Sequence, residues 1–145
     1  MVLDIGCGPG QVAQFLQDRG LPGYFGLDLS PVAAEKAAKL CPGYQFKAEN
    51  ALETNVLQEI SYDTVISLEF LEHVQKELSV LEKIRSRTRF IGTVPDFPYI
   101  SHVRHFKSTQ EVLDRYGYLF HTFTVDEFKD PSGRKRYFLL DGIRK

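Results

Sequence analysis

Residues Met1–Gln11 read MVLDIGCGPGQ. A short apolar run, VLDI, passes directly into a loop in which Gly6, Gly8 and Gly10 alternate with other residues. Glycine admits positive φ and lets a ligand approach backbone where a Cβ would stand in the way. A strand, a glycine loop and a helix in that order also point free N–H groups at a bound group. The spacing separates this loop from a dinucleotide fingerprint, because G-x-G-x-x-G needs its third glycine at Gln11. Asp4 stands where a pyrophosphate would be repelled. The expected ligand therefore has no phosphate and can carry positive charge.

Beyond the loop, strand-like and helix-like runs alternate. Val12, Phe15 and Leu16 recur at helical spacing until Gly20 and Pro22 stop the helix. YFGLD reads as a second strand, and Ser30-Pro31 as an N-cap with proline at the first helical position. YQFKAEN reads as a third strand, and YDTVISL as a fourth whose apolar continuity suits burial on both faces. Leu71, Val74, Leu78 and Leu81 then predict one longer helix, and RFIGTVP a fifth strand. Ser108 and Glu111 have capping-box spacing ahead of a helix that Gly117 closes. YLFHTFTVDEF and KRYFLLDGIRK follow with only Asp130, Pro131, Ser132 and Gly133 between them, which predicts an antiparallel hairpin. The fold class is α/β, a doubly wound and mostly parallel sheet with an antiparallel edge. Ligands on such sheets bind at the carboxyl ends of central strands, where the glycine loop lies.

A chain of 145 residues with 43% apolar content fits a single domain over 1–145. A net charge of −1 offers no global field for nucleic acid or an anionic membrane. No apolar run approaches the roughly 20 residues of a membrane span. Cys7 and Cys41 form neither a disulfide framework nor a metal spacing, so a reducing, cytoplasmic setting is expected.

Several stretches together resemble the class I S-adenosylmethionine-dependent methyltransferases: VLDIGCGPG, GLDLSP, YDTVISLEFLEHV, RFIGTVP and HVRHFKSTQEVLDRYGY. The resemblance implies seven strands in the order 3-2-1-4-5-7-6, with strand 7 antiparallel, and S-adenosylmethionine as cofactor. It implies that Asp4, Gly6, Cys7, Gly8 and Gly10 surround the methionyl part. It also implies that Asp28 takes both ribose hydroxyls, since a carboxylate accepts two hydrogen bonds from a vicinal diol. Leu29 would pack on the adenine. Asn50 stands where the family usually has Asp, reading the adenine amino group beside the Ala51 N–H. Glu69 would face the methionyl amine or the substrate. Methyl transfer to an O or N acceptor, most simply a small molecule, is the implied reaction.

Transfer needs acceptor and methyl held in line, and a weak acceptor needs its proton removed. His73, His102, His105 and Glu69 are the catalytic candidates, with Tyr99 beside them; His121 lies in strand six, away from the mouth. Glu69, Glu72 and His73 fall at i, i+3 and i+4, one face of a helix, and His102 or His105 could complete a divalent site. This cluster resembles that of metal-dependent small-RNA 2′-O-methyltransferases and of some ubiquinone-pathway O-methyltransferases, the alternative acceptor classes. Helical geometry sets the same face opposite the leucine stripe, so a plain solvated face or a rim of the cleft, without metal, is expected. A cofactor-binding module without activity is the further alternative. Asp96-Phe97-Pro98-Tyr99 echoes the D-P-P-Y box of amino-methylating DNA enzymes, but follows strand five and lacks the first proline; it reads as an acceptor-side loop. Arg85–Arg89 and Arg134–Arg136 read as a solvated helix end and a hairpin tip. Most relatives have a helix or two ahead of the first strand, whereas this sequence starts at the strand itself, which is expected either of a minimal enzyme or of a chain whose beginning is missing. The sheet face this uncovers invites self-association, so a homodimer through it is one expected assembly.

Overall fold

The computed structural model describes residues Met1–Lys145. Seven strands form one sheet: β1 (Val2–Ile5), β2 (Tyr24–Asp28), β3 (Gln45–Ala48), β4 (Thr64–Ser67), β5 (Arg89–Pro95), β6 (Phe120–Lys129) and β7 (Arg136–Arg144). Their order is β3-β2-β1-β4-β5-β7-β6. Neighbours among the first five strands are parallel, and β7 runs antiparallel to both β5 and β6. This is the expected topology. Every residue of β1 is buried, which is why its sequence is an unbroken apolar run around Asp4. The edge strands β3 and β6 are mostly exposed and correspondingly polar.

The helices are α1 (Gln11–Gln17), α2 (Pro31–Leu40), α3 (Val56–Glu59), α4 (Glu77–Lys83) and α5 (Thr109–Tyr116). Ser30 caps α2 by accepting from the Ala33 N–H at 3.2 Å, with Pro31 at the first position. Ser108 caps α5 by accepting from the Glu111 N–H at 3.2 Å, while the Glu111 carboxylate returns to the Lys107 N–H at 2.7 Å. Side chains alternate across the sheet, so Leu3 and Ile5 join a large core with Leu71, Phe90, Tyr116 and Phe138. Val2 joins a smaller one with Ala13, Tyr24 and Cys41 on the opposite face. No helix is long and apolar enough to cross a membrane.

Two segments depart from the sequence reading. The single helix expected through Leu71–Leu81 is broken into a 3-10 turn, Leu71–His73, an extended Val74 and then α4. The physical cause is Arg104. Its guanidinium donates to the Leu71 carbonyl, to the Val74 carbonyl at 2.6 Å and to the Gln75 carbonyl at 3.0 Å. Those carbonyls are the acceptors a continuing helix would have used. Leu71 and Leu81 are nevertheless both buried, because the core needs the side chains whatever the backbone between them does. The one-turn helix α3 has no counterpart in the sequence reading; four residues are too few for helical periodicity to register.

Candidate functional site

Three hollows run in series along the carboxyl edge of β1, β2, β4 and β5. The central one, about 500 Å³, is lined by Asp4, Gly6, Cys7, Gly8, Glu69 and Tyr137, among others. A narrow slot of about 60 Å³ shares Gly6 with it and is lined by Asp28, Leu29, Asn50 and Ala51. A third, about 210 Å³, shares Glu69 and Tyr137 with the central hollow and contains Glu72, His73, His102 and Lys135. The first strand, the second strand and the fourth-strand loop thus meet in one continuous depression.

Gly6, Gly8 and Gly10 all have positive φ, at 85°, 54° and 96°. Their purposes differ. A Cβ on Gly8 would project into open space, so this glycine leaves backbone bare to the hollow. A Cβ on Gly10 would lie 3.0 Å from Ala37, so this glycine lets α1 pack on α2 and lines none of the three hollows. Of the three loop glycines, Gly10 is the one set against α2.

Asp28 ends β2 with each carboxylate oxygen taking one backbone N–H, Gly8 and Ser30, both at 2.8 Å. Each oxygen keeps a further lone pair, so the carboxylate is oriented before any ligand arrives. The Ala51 N–H has no acceptor within the chain. The Asn50 side-chain oxygen Oδ1 accepts from the Leu52 N–H at 3.0 Å and its side-chain amide donates to the Glu53 carboxylate at 3.2 Å, so the side chain's remaining capacity is one lone pair and one N–H. Leu29 is 72% exposed beside the slot. A bare glycine backbone, an oriented carboxylate with free lone pairs and an unpaired N–H fit an adenosine with a cationic amino-acid tail.

Asp4 is more enclosed than the sequence implies. It is buried and accepts from the Tyr24 hydroxyl at 2.5 Å. Burial pushes its carboxyl up to about 7, against the pull of the tyrosine, with the Asp28 charge adding to the rise. Burial likewise pushes the Cys7 thiol up to about 12, so Cys7 lines the hollow as an unreactive thiol. Tyr24 was not singled out from sequence; only the pairing of β1 with β2 brings it to Asp4.

The third hollow corrects the helical-face reading. Glu69 is not helical: it sits at φ 51°, its N–H donating to Thr93 Oγ1 at 2.9 Å. Glu72 is not solvated: it is 1% exposed, with one carboxylate oxygen lacking any partner. Burial pushes its carboxyl up to about 7, and neighbouring Glu69 adds to this. His73 Nδ1 lies 3.0 Å from the Ser101 carbonyl and His102 Nδ1 3.2 Å from that of Phe97. A carbonyl only accepts, so both Nδ1 atoms carry hydrogen in the neutral rings and both Nε2 lone pairs are free. The two rings meet edge to face at 4.9 Å. Glu72, His73 and His102 can present one ligand atom each within 4.8 Å of one another. His105 lies apart, in a separate groove with Arg104 and Arg115. His121 is on the exposed edge strand.

Phe97 and Tyr99 of the loop after β5 line this hollow. So does Lys135 from the tip between β6 and β7, which a reading as a plain solvated turn overlooks. Tyr137 was missed as well, since nothing local marks it. Antiparallel pairing sets it opposite Pro95, at the end of β5. The Arg85–Arg89 stretch is engaged elsewhere, with Arg85 donating to the Gln58 carbonyl and Arg89 paired with Asp141.

The fold recurs among solved structures. A Haloferax volcanii methyltransferase, solved with the Trm112 methyltransferase activator, superposes at TM-score 0.79 with 18% identity over 99% of this chain and 81% of its own. The 1,6-didemethyltoxoflavin-N1-methyltransferase of Burkholderia thailandensis, solved with its substrate and S-adenosylhomocysteine, gives 0.78 with 18% identity, over 99% and 70%. The N-methyltransferase NodS of Bradyrhizobium japonicum, solved with S-adenosylhomocysteine, gives 0.75 with 13% identity, over 99% and 76%. No curated protein matches the sequence. A family model described as "Methyltransferase domain" matches residues 3–92, which hold the glycine loop, Asp28 and Glu69. The chain belongs to that methyltransferase family, and its sheet is that of the class I, Rossmann-like, S-adenosylmethionine-dependent enzymes.

Proposed function

We propose that the chain transfers a methyl group to an O or N atom of a small molecule seated in the third hollow. The observation that carries this is the sharing of Glu69 and Tyr137 between the central and third hollows, which puts a proton-accepting pocket directly beside the glycine loop. S-adenosylmethionine supplies a methyl already activated by its sulfonium. Asp28 would accept from both ribose hydroxyls, two charge-assisted bonds at an oxygen pair already oriented by Gly8 and Ser30. The Ala51 N–H and Asn50 would meet the adenine edge, with Leu29 against its face. The bare Gly6–Gly8 backbone and Asp4 would hold the methionyl tail. His73 or His102 would take the acceptor's proton at a free Nε2, while the Nδ1–H bond to a backbone carbonyl holds the ring in place.

Tritium transfer from labelled S-adenosylmethionine, screened over phenols, amines and carboxylic acids, tests this reading. Transfer to a small acceptor, lowered at least about 100-fold in a His73→Ala, His102→Ala double variant, is the expected result. Binding of S-adenosylhomocysteine without transfer to any acceptor would favour an inert module.

One observation supports a second reading, metal-assisted O-methyl transfer. The buried, unpartnered Glu72 oxygen faces two imidazoles whose Nε2 lone pairs are free. Two imidazoles and a carboxylate suit a divalent transition ion, and carbonyl bonds at the far nitrogen are what metal-bound histidines commonly have. Such an ion would draw the proton from a bound hydroxyl. Chelator treatment separates the readings: full activity after removal of divalent ions excludes the metal, and loss restored by added ion supports it.

A further inference from the structure

We infer that the third hollow selects a single-ring aromatic acid, with Lys135 as the residue that takes its carboxylate. The inference rests on the methyl-transfer reading and names the acceptor class of that site. The hollow, at about 210 Å³, has room for a single-ring group. Its walls are flat rings. Phe97 stands edge-on to Tyr137 at 5.3 Å, and Phe97 and Tyr99 lie 5.7 and 5.6 Å from the His102 ring. Such walls take a planar guest by offset stacking and edge-to-face contact.

The charge follows from which cations are already engaged. At the hairpin tip, Arg136 is consumed by Asp96 at 2.8 Å, Glu127 at 3.0 Å and the Lys107 carbonyl at 2.9 Å. Lys135 has no carboxylate within ion-pair distance, although Glu69 and Glu72 line the same hollow. Its ammonium lies 5.0 Å from the centre of the Phe97 ring, at the wall. Nor is the tip loose. Asp130 accepts from the N–H groups of Arg134 at 3.0 Å and Lys135 at 3.1 Å, and its own N–H donates to the Lys135 carbonyl at 2.9 Å. These bonds fix the backbone that carries the ammonium. An unpaired cation on a rigid turn, beside rings and across from proton acceptors, matches an acceptor with a hydroxyl or amine at one end of the ring and an anion at the other.

Three probes share one reacting diol and differ in charge: 3,4-dihydroxybenzoate, catechol and dopamine. The comparison is kcat/KM for tritium transfer, together with calorimetric binding to the S-adenosylhomocysteine complex. The expected order is benzoate, then catechol, then dopamine, with benzoate at least tenfold ahead of dopamine. Lys135→Ala should shrink the benzoate-to-catechol ratio at least tenfold, Lys135→Arg should preserve it, and Lys135→Glu should move the preference to dopamine. A preference for dopamine, equal use of all three, no binding of the benzoate, or a ratio unmoved by Lys135→Ala overturns the inference. Failure of the methyl-transfer reading is recognised separately, because the protein would then either not bind S-adenosylhomocysteine in the first titration or bind it and transfer tritium to none of the screened phenols, amines and acids.

Discussion

At the scale of single residues, the buried Asp4 ties ligand handling to pH. Its carboxyl is held at about 7, above its ordinary 3.8, chiefly by burial. The unfolded chain therefore releases this proton at lower pH than the folded one. The sign follows: relative to an ordinary aspartate, folding loses stability as pH rises from about 4 to about 7, and above 7 the loss is constant at a few kcal/mol. Asp4→Asn should raise the melting temperature at pH 8 and leave it nearly unchanged at pH 4, read by thermal denaturation. A cationic tail beside Asp4 favours its ionised form, so affinity for S-adenosylhomocysteine should tighten as pH rises through 7 in the parent and stay flatter in Asp4→Asn. The sequence revealed Asp4 as a carboxylate behind a glycine loop, but not its state. That state depends on Tyr24, twenty residues away and brought opposite by strand pairing. Glu72 was legible in the same partial way: its spacing to His73 is visible in the chain, whereas its burial depends on a break that spacing cannot reveal.

At the scale of elements, Arg104 holds the broken segment that carries Glu72 and His73. Besides the three carbonyls it pairs with Glu77, a fully buried carboxylate that Arg115 also reaches at 2.6 Å. Truncating one partner of a buried pair costs about 3–5 kcal/mol where the remaining charge has no other partner, and here Arg115 compensates Glu77 in part. Arg104→Ala should lower stability by up to about that much, read by denaturant unfolding. It should also cut kcat more than it weakens S-adenosylhomocysteine binding, since the segment borders the third hollow and not the glycine loop. A second element-level prediction concerns α1. Gly10 has φ 96°, and Ala37 would lie 3.0 Å from an added Cβ. Gly10→Ala should therefore cost about 1–3 kcal/mol from backbone strain alone and visibly lower the melting temperature. Element identity was legible wherever caps and periodicity agreed, as at Ser30-Pro31 and at Ser108. It failed between Leu71 and Leu81, where a tertiary arginine outcompeted a helical pattern.

At the scale of the whole molecule, the sheet sorts stability by strand position. Amides of β1, β4 and β5 should exchange slowest with deuterium, and those of β3 and β6 fastest, because the former are flanked on both sides and the latter have an open edge. The order of the seven strands was legible through resemblance alone; local pattern gives strands and helices but not which strand lies beside which. The antiparallel β7 has the largest consequence, since it delivers Tyr137 and Lys135 to a hollow whose other walls come from loops after β4 and β5. The proposed function turns on a nucleoside held by Asp28. Titration calorimetry with S-adenosylhomocysteine, on the parent and on Asp28→Ala, is the most direct measurement. Saturable binding that weakens at least about 100-fold in a variant that is still folded at the titration temperature is expected, from two lost charge-assisted hydrogen bonds. Absence of binding to the parent, or equal affinity in the variant, would refute the proposed site.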